Sequence, residues 1–289
     1  MTTIIIGCGY LGRRVAKASL QAGERVMAVV RTAESARLLA AQGIAPRQLD
    51  LDHPPLSELS LRGSRLYYFL APQAVGEGDS RIEALLDAME ADGAPARIVY
   101  LSTTGVYGDC RGEWIDESRS PHPKVPRALR RWRAESTLRS WCEQHAVELV
   151  ILRVAGFYGP GRLPLERLRK RLPMVRESDA PFSNRIHIDD LVAVCRAAMQ
   201  LGAAGEIYNV SDGNPTTMSD YFDRIADLSG MPRPPKIPLR EAAAQLSPGM
   251  LSYMQESRRL HNGKMLRELG VELRYPTLAE GLPAALAED

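Results

Sequence analysis

A glycine-rich turn near the amino terminus has the spacing of a phosphate-binding loop. Gly7, Gly9 and Gly12 follow the apolar run Thr3–Ile6 and open a segment of helical period, about Leu11–Gln21. In such a strand–turn–helix the first glycine permits the tight turn, the second lets backbone approach a pyrophosphate, and the third allows close helix–strand packing. The phosphates lie at the helix start, where unpaired N–H groups and the helix dipole favour an anion. The pattern predicts a dinucleotide site formed by Gly7, Gly9, Tyr10, Leu11 and Gly12.

The end of the second apolar run bears on which dinucleotide would bind. Arg31 and Thr32 follow Arg25–Val30, about 20 residues beyond the third glycine. An acidic residue there would accept the ribose 2′-hydroxyl of NAD, whereas arginine suits the 2′-phosphate of NADP through a charge-assisted contact. We therefore predict NADP in preference to NAD. The alternative is a solvent-facing Arg31 that stacks on adenine without discriminating between the two.

Alternating strands and helices predict the scaffold that positions this site. Near-continuous apolar strands separated by helices are typical of a parallel sheet covered on both faces, here a doubly wound, Rossmann-type α/β sheet. The predicted strands are Thr3–Ile6, Arg25–Val30, a short one ending near Leu49, Arg65–Leu70, Arg97–Ser102, Glu148–Val154 and Glu206–Val210. The predicted helices are about Leu11–Gln21, Ala33–Gln42, Ser80–Asp92, Asp189–Leu201, Met218–Ser229, 239–255 and Lys264–Leu269.

The residue composition changes after the sixth predicted strand, where glycines and prolines cluster. We predict a dinucleotide-binding domain over residues 1–155, to which 185–212 return, and a smaller substrate lobe formed by 156–184 and 213–289.

Asp50 and Leu51 follow the third strand. An aspartate there can accept a hydrogen bond from the adenine amino group while the leucine covers the ring.

Composition excludes several classes of partner. Basic and acidic residues nearly balance, 37 against 35, so no global field attracts nucleic acid or an anionic membrane. The four cysteines are far apart and lack metal-ligand spacing, which favours free thiols in a reducing compartment. No apolar run approaches the roughly 20 residues needed to span a bilayer. We expect a cytoplasmic protein with no metal, no nucleic-acid partner and no membrane partner.

Four further motifs carry a family resemblance. They are Leu101–Asp109 (LSTTGVYGD), Leu152–Gly161 (LRVAGFYGPG), Arg185–Leu191 (RIHIDDL) and Ile207–Val210 (IYNV). In this order they resemble the extended and atypical short-chain dehydrogenases/reductases, the NAD-dependent epimerase/dehydratase group. The resemblance spans residues 4 to about 211.

The resemblance implies roles for residues at the carboxyl ends of the predicted strands. Thr103 matches the catalytic Ser/Thr that hydrogen-bonds the reacting hydroxyl or carbonyl. Arg185 falls near an arginine that sugar-nucleotide members place on substrate phosphates. Tyr107 fits a structural role better than a catalytic one. The residues implied around the cofactor are Leu70, Ala71, Pro72, Ser102, Ala155, Gly156 and Phe157, and those implied around the substrate are Thr104, Tyr107 and Arg185.

The acid/base helix departs from the family pattern. Members carry Tyr-x-x-x-Lys there, usually followed four residues later by Glu; the tyrosine moves the proton and the lysine lowers the tyrosine's pKa. With Glu135 in the Glu position, Arg131 stands for the lysine and Arg127 for the tyrosine. Arg131 could still hold a ribose hydroxyl, but a permanently charged arginine cannot serve as the general acid. The GxGxxG form of the loop also resembles the atypical branch.

Two functions from different classes follow from these features. One is an NADP-dependent oxidoreductase or epimerase/dehydratase-like enzyme acting on a sugar nucleotide or another small polar substrate, with Thr103 polarising the substrate. The other is a non-catalytic NADP-binding redox sensor or regulatory protein that keeps the cofactor site without the acid/base pair. A homodimer is a further expectation from the resemblance. The basic stretch 124–141 leaves a nucleic-acid binder as a distant third.

Overall fold

One parallel sheet of seven strands organises the chain. The computed structural model describes residues 1–53, 56, 59–76 and 78–287. The sheet order is β7-β6-β5-β4-β1-β2-β3, and every neighbouring pair is parallel. The predicted doubly wound sheet is thereby confirmed. Its strands are β1 (Thr2–Ile6), β2 (Arg25–Val30), β3 (Ala45–Gln48), β4 (Arg65–Tyr68), β5 (Arg97–Thr103), β6 (Glu148–Val154) and β7 (Ile207–Val210).

Seven principal helices accompany the sheet in the described part of the chain. They are α1 (Tyr10–Gln21), α2 (Ala33–Ala40), α3 (Ser80–Asp92), α4 (Pro126–Gln144), α5 (Ile188–Leu201), α6 (Met218–Leu228) and α7 (Leu278–Ala287). Shorter α-helices span Leu165–Arg169, Ala242–Gln245, Pro248–Met254 and Gly263–Leu269, and 3₁₀ turns span Thr104–Tyr107, Glu177–Asp179 and Leu239–Glu241. Four pairs of short strands join the loops: Gly156–Tyr158 with Arg185–His187, Trp114–Ile115 with Arg259–Leu260, Met174–Val175 with Lys236–Ile237, and Phe182–Ser183 with Thr216–Thr217.

The helix predicted over 239–255 is wrong as a single element. Leu246 is extended, at φ −99° and ψ 148°, and ends the helix Ala242–Gln245. Ser247 then caps a new helix by accepting the Met250 N–H at 3.3 Å. Pro248 follows the cap because its missing N–H is tolerated in the first turn of a helix but not in its interior.

Each face of the sheet has its own apolar core. On one face α1, α5 and the helix Gly263–Leu269 pack on the strands, with Val15, Val194 and Met265 all at 0% exposure. On the other face α3 and α4 pack on the strands through side chains such as Leu85 and Leu138. Apolar burial on both faces is what the near-continuous hydrophobic strands require.

Residues outside the sheet form three smaller apolar clusters in the described part of the chain. One joins α6 and α7 with Tyr158, the second surrounds Val175 and Met254, and the third joins Val106 and Leu260. The boundaries drawn for a substrate lobe stay a prediction. One element assigned to that lobe, the helix Gly263–Leu269, packs instead on the core of the sheet.

Candidate functional site

The glycine loop lies where the strand order reverses, between β1 and β4. Gly7 has φ +87°, and a Cβ atom on it would lie 2.8 Å from the Leu70 backbone nitrogen. A Cβ on Gly12 would lie 2.8 Å from the Gly7 carbonyl oxygen. A Cβ on Gly9, by contrast, would meet no described atom within 4 Å. Two of the glycines therefore serve packing, and the third leaves open space beside the start of α1.

The amino-terminal end of α1 is suited to an anion. Gly9 is its N-cap and provides no side chain to occupy the free N–H groups of the first turn. The Tyr10 hydroxyl donates to the Pro160 carbonyl at 2.7 Å, and the Arg14 and Arg162 guanidinium carbons lie 3.9 and 5.2 Å from the Tyr10 ring centroid. Tyr10 thus fastens the loop after β6 beside the glycine loop.

Arg31, at the end of β2, presents an exposed guanidinium. Its side chain is 64% accessible, and Nη1 lies 3.8 Å from Asp52 Oδ2. Arg81 holds the same carboxylate with two contacts, at 2.6 and 2.8 Å. The Arg81 hydrogen bonds, helped by Gln73, lower the pKa of Asp52 to about 2. Because Arg81 already pairs with Asp52, Arg31 remains accessible to a further anion. Thr32 caps α2 by accepting the N–H of the third residue of the helix, at 3.2 Å.

Asp50 and Leu51 differ in what they present to a ligand. The Asp50 carboxylate accepts the Asp52 N–H at 3.0 Å and lies 3.0 Å from His53 Nδ1. The backbone hydrogen bond is the main reason that the pKa of Asp50 is lowered. Leu51 is only 5% exposed and packs in the core with the strands. Its side chain therefore has little surface left to cover an adenine ring.

The ends of β4 and β5 bring Leu70 and Thr103 to the same edge of the sheet. The Leu70 carbonyl accepts a hydrogen bond from Arg131 at 2.8 Å, and the Ala71 carbonyl accepts one from Arg81 at 3.2 Å. Pro72 follows, partly exposed. Thr103 is partly buried, and its hydroxyl oxygen accepts the N–H of the residue two positions on, at 3.2 Å. Among the described residues this hydroxyl donates to no acceptor, which leaves its hydrogen available to a ligand.

Two residues assigned to the substrate lie in the interior instead. Tyr107 is 1% exposed, and its hydroxyl donates to Asn209 Oδ1 at 2.7 Å. Burial raises the pKa of Tyr107 to about 12, although the nearby Arg153 opposes the increase. Thr104 is 6% exposed in the 3₁₀ turn that follows β5. In this structure Tyr107 is a core residue, and Thr104 has little surface available to a substrate.

A buried ion pair joins α4 to the sheet beneath this edge. Glu135 and Arg153 have side-chain exposures of 0% and 2%, and Oε2 lies 2.8 Å from Nη2. The Ser102 hydroxyl donates to the same carboxylate, so Ser102 faces the protein interior. The Arg153 guanidinium carbon lies 4.8 Å from the Tyr107 ring centroid. Arg153 was missed from sequence, although a lone charge inside the apolar strand ELVILRV signals a buried partner.

Arg131 lies one turn before Glu135 and reaches the end of β4. It is 9% exposed and donates both to the Leu70 carbonyl and to the Tyr100 hydroxyl, the latter at 3.2 Å. Burial raises the pKa of Tyr100 to about 12 in spite of this cation. The position that the family resemblance gives to lysine is thus held by a guanidinium already engaged with the protein.

The loop after β6 completes the edge. Ala155 is 6% exposed and its N–H donates to the Val210 carbonyl at 2.9 Å. Gly156 is exposed, and a Cβ on it would lie 2.9 Å from Arg185 Nη1. The Phe157 ring stacks against that of Tyr10, with centroids 6.4 Å apart.

Arg185 is a buried cation without a carboxylate within ion-pair distance among the described residues. It is 8% exposed, donates to the Asn184 carbonyl at 3.0 Å, and its guanidinium carbon lies 4.5 Å from the Tyr221 ring centroid. Asp212 is 4% exposed, and its Oδ2 has no hydrogen-bond partner in the described structure. Burial raises the pKa of Asp212 to about 7, with Arg185 opposing. The Tyr158 hydroxyl is likewise buried without a described partner.

Other site classes find no support in the described residues. They contain no cluster of three or more His, Cys, Asp or Glu that could hold a metal ion. None of the helices in the same residues is long and apolar enough to cross a membrane.

Comparison with protein-family models matches residues 3–211 to the NAD dependent epimerase/dehydratase family. The chain belongs to this family. The resemblance inferred from the four motifs is thereby confirmed. Membership in the NAD dependent epimerase/dehydratase family supports an epimerase/dehydratase-like oxidoreductase, and the Rossmann-type sheet agrees with it.

Individual members of the family resemble the whole chain. Protein YeeZ of Escherichia coli K12 is 26% identical over 284 residues, which cover 94% of this chain and 95% of YeeZ. A conserved protein of unknown function from Silicibacter pomeroyi has a solved structure with a TM-score of 0.86 and 31% identity, covering 99% of this chain and 98% of that one. UDP-glucuronic acid 4-epimerase from Bacillus cereus, in complex with NAD, has a TM-score of 0.79 at 17% identity, covering 100% and 98%. The last likeness is one of fold.

Proposed function

We propose that the protein is an NADP-dependent oxidoreductase of epimerase/dehydratase type that acts on a sugar nucleotide. The observation that carries the proposal is the open space at Gly9 beside the uncapped start of α1, with the exposed Arg31 at the end of the next strand. A Cβ atom would fill the space at Gly9, and the other two glycines of the loop are needed for packing alone. The residues present therefore fit a dinucleotide.

Each part of the cofactor has residues suited to it. The glycine loop would hold the pyrophosphate, Arg31 the 2′-phosphate, and Arg131 a ribose hydroxyl. The backbone of 155–157 would face the carboxamide. When bound, the nicotinamide accepts or supplies a hydride. Thr103, with its hydroxyl hydrogen free, would hydrogen-bond the reacting oxygen of the substrate.

The preference for NADP rests on Arg31 and on its weak pairing with Asp52. The Arg81–Asp52 contacts, at 2.6 and 2.8 Å, are much shorter than the 3.8 Å separation of Arg31 from Asp52. Arg31 can therefore turn to a 2′-phosphate without leaving Asp52 unpaired. A charge-assisted hydrogen bond of this kind contributes about 1.5–3 kcal/mol.

Arg31→Asp tests the cofactor preference. We expect it to lower the ratio of NADPH to NADH affinity by about 10-fold to 100-fold, as the loss of that bond implies. Fluorescence titration with each reduced cofactor measures the ratio, and Arg37→Asp, on the exposed side of α2, is the matched control. A wild type that prefers NADH would sink the NADP assignment.

The sugar-nucleotide part of the proposal rests on Arg185 and on the relatives. A buried guanidinium with no carboxylate in ion-pair contact is suited to a phosphate. A relative of this fold is named for its action on UDP-glucuronic acid. Calorimetric titration of the NADPH-bound protein with UDP-glucuronic acid and UDP-glucose tests the assignment, and Arg185→Met is expected to abolish the binding.

A non-catalytic NADP sensor is the second candidate, and the composition of α4 favours it. The helix contains neither tyrosine nor lysine, and arginines stand at the two positions concerned. Incubation of the protein with NADP⁺ and a panel of sugar nucleotides separates the two candidates. Formation of reduced nicotinamide supports the enzyme, whereas tight binding without any turnover supports the sensor. The homodimer expected from the family resemblance stays a prediction for light scattering to test.

A further inference from the structure

The first turn of α4 contacts the short helix Pro248–Met254. The family pattern does not explain this contact. Arg127 is exposed on its own helix and reaches the short helix Pro248–Met254. Its guanidinium carbon lies 4.3 Å from the Tyr253 ring centroid, and Nη1 donates to Ser252 Oγ at 2.5 Å. The residue that stands in the tyrosine position thus stacks on a tyrosine from a distant part of the chain.

This contact lies close to Thr103. A Cβ atom on Gly105 would lie 3.5 Å from Thr103 Oγ1 and 3.6 Å from the Cβ of Ala128, the residue next to Arg127. Thr103 and the first turn of α4 therefore border the same point. Tyr253 also lies near enough to Arg185 to interact with it electrostatically. The Tyr253 ring is thus linked through Arg127 to the helix turn that borders Thr103, and it lies within electrostatic range of Arg185.

Side-chain length strengthens the correspondence. Arginine and tyrosine reach similar distances from the backbone, so a tyrosine at position 127 would place its hydroxyl about where the guanidinium now lies. The Tyr253 ring packs on that guanidinium. A phenol from another element is therefore next to the place where the helix itself would have supplied one.

The helix that carries Tyr253 is held at its carboxyl end. Met254 is 4% exposed in the apolar cluster around Val175. Three residues on, the Ser257 N–H donates to Asp109 Oδ1 at 2.9 Å, and the Ser257 carbonyl accepts the Cys110 N–H at 3.0 Å. These bonds tie the segment to the loop that follows β5. Tyr253 itself is 51% exposed, so its hydroxyl is accessible to both a ligand and water.

We propose that Tyr253 supplies the proton-transferring hydroxyl that α4 lacks, an inference that rests on the proposed function. A bound nicotinamide would supply the hydride acceptor for oxidation of a sugar hydroxyl, taking the hydrogen of the C–H bond with its electron pair. As the carbonyl double bond forms, the Tyr253 oxygen accepts the proton of the sugar hydroxyl while its own phenolic proton passes to water, to which the side chain is exposed. Reduction of a carbonyl runs the same steps in reverse. Arg127 is a positioning residue that fixes the ring.

Tyr253→Phe is the direct test because it removes the hydroxyl and keeps the ring on Arg127. With NADP⁺ and either UDP-glucose or UDP-glucuronic acid, single-turnover formation of reduced nicotinamide should fall by about 100-fold or more, the usual contribution of a positioned acid or base. NADPH affinity and thermal melting should not change. Tyr275→Phe, a half-buried tyrosine elsewhere outside the sheet, is the matched control and should react at the wild-type rate.

A rescue experiment separates proton transfer from packing. Arg127→Tyr places a phenol on α4, and in the Tyr253→Phe background it should restore at least a tenth of the lost rate. The control is Arg130→Tyr in the same background. This substitution, at a neighbouring position of the same helix, should restore none of the lost rate. A Tyr253→Phe variant that reacts at the wild-type rate overturns the inference and leaves the proposed function standing.

A readout independent of turnover tests the location of Tyr253. N-acetylimidazole acetylates accessible tyrosines, and mass spectrometry measures the extent at Tyr253. NADP⁺ together with UDP-glucuronic acid should reduce acetylation there at least fivefold, while Tyr275 should be unaffected. If the protein oxidises a sugar nucleotide but the ligands do not protect Tyr253 from acetylation, the role of Tyr253 is wrong and the proposed enzyme function still stands. A wild type that binds cofactor but turns over neither sugar nucleotide overturns the proposed enzyme function, and the proton role with it.

Discussion

The first turns of α1 and α4 both lie at the carboxyl edge of the sheet, yet they differ in how well they fit the family pattern. At α1 every glycine has the use that the motif requires, and the space at Gly9 is open. At α4 the helix starts at Pro126 with no side-chain cap, and arginines replace the acid/base pair. The helix is nevertheless bound to the sheet by a buried ion pair. Two helix starts on one scaffold therefore follow the family pattern to different extents.

Arg131 and Arg127 show what the replaced positions now do. Arg131 points to the sheet and ties the ends of β4 and β5 together through the Leu70 carbonyl and Tyr100. Arg127 ties the start of α4 to Ser252 and Tyr253. One arginine thus joins α4 to the sheet, and the other joins α4 to the short helix Pro248–Met254.

The largest expected effect tests whether α4 is retained for structure. Glu135→Gln leaves the Arg153 guanidinium buried without its counter-charge, which costs about 3–5 kcal/mol for a pair of this kind. We expect the free energy of unfolding, measured by urea denaturation, to fall by that amount. Glu166→Gln is the control, because its pair with Arg169 is 70% and 55% exposed and solvent screening should leave it contributing little to stability. Equal effects of the two substitutions would contradict a structural role for the buried pair.

The region around Arg185 should make the free energy of unfolding depend on pH, because it contains Asp212. The pKa of Asp212 is 3.8 ordinarily and about 7 in the folded protein. Between those values the unfolded chain has lost the proton that the folded chain keeps, so stability falls as pH rises and then levels off above about 7. At 1.36 kcal/mol per unit, the loss is at most about 4 kcal/mol.

Asp212→Asn should remove this slope. We expect the difference in unfolding free energy between Asp212→Asn and wild type to increase from about pH 4 to about pH 7 and then to stay constant. Asp227→Asn is the control, since Asp227 is half exposed and the Arg233 hydrogen bond lowers its pKa, which leaves it ionised through this range. A constant difference between Asp212→Asn and wild type across the range would show that Asp212 is ionised when folded.

The sequence predicts the parts of this molecule whose cause is local. The strand–glycine–helix turn, the start of α2 at Ala33 and the bounds of α3 all follow from residues within a few positions of one another. The helix break at Ser247–Pro248 was also readable from local capping chemistry, and it was missed. α7 was missed because Gly281 and Pro283 lie inside it, and its stability comes from packing in the cluster with Tyr158.

Contacts between distant segments were the hardest to foresee. Asp52 and Arg81 are 29 positions apart, and neither has a motif that announces the other. The stacking of Arg127 on Tyr253 depends on a short helix in the last fifth of the chain, for which no family motif exists in this sequence. Such pairs are set by how the loops fold over the sheet edge, and spacing along the chain carries little information about them.

The smallest expected changes in stability come from substitutions in the glycine loop. Gly12→Ala would put a methyl group 2.8 Å from the Gly7 carbonyl oxygen, so the loop or α1 must shift, at a cost of about 1–3 kcal/mol. A Cβ on Gly9 would meet no neighbour within 4 Å, but the backbone there, at φ −84° and ψ −141°, lies outside the regions that alanine favours. Gly9→Ala should therefore cost only that backbone strain, about 1 kcal/mol, with no clash.

The same two variants should rank differently in cofactor binding if the open space receives the pyrophosphate. Gly9→Ala should weaken NADPH by at least about tenfold, or about 1.4 kcal/mol, while its melting temperature falls less than that of Gly12→Ala. Gly12→Ala should lower the melting temperature first and weaken NADPH only as far as the loop moves. Thermal melting and fluorescence titration on the two proteins give both quantities. If Gly9→Ala binds NADPH as tightly as wild type, the turn at α1 serves packing rather than cofactor binding. The contrast drawn between the first turns of α1 and α4 would then be wrong.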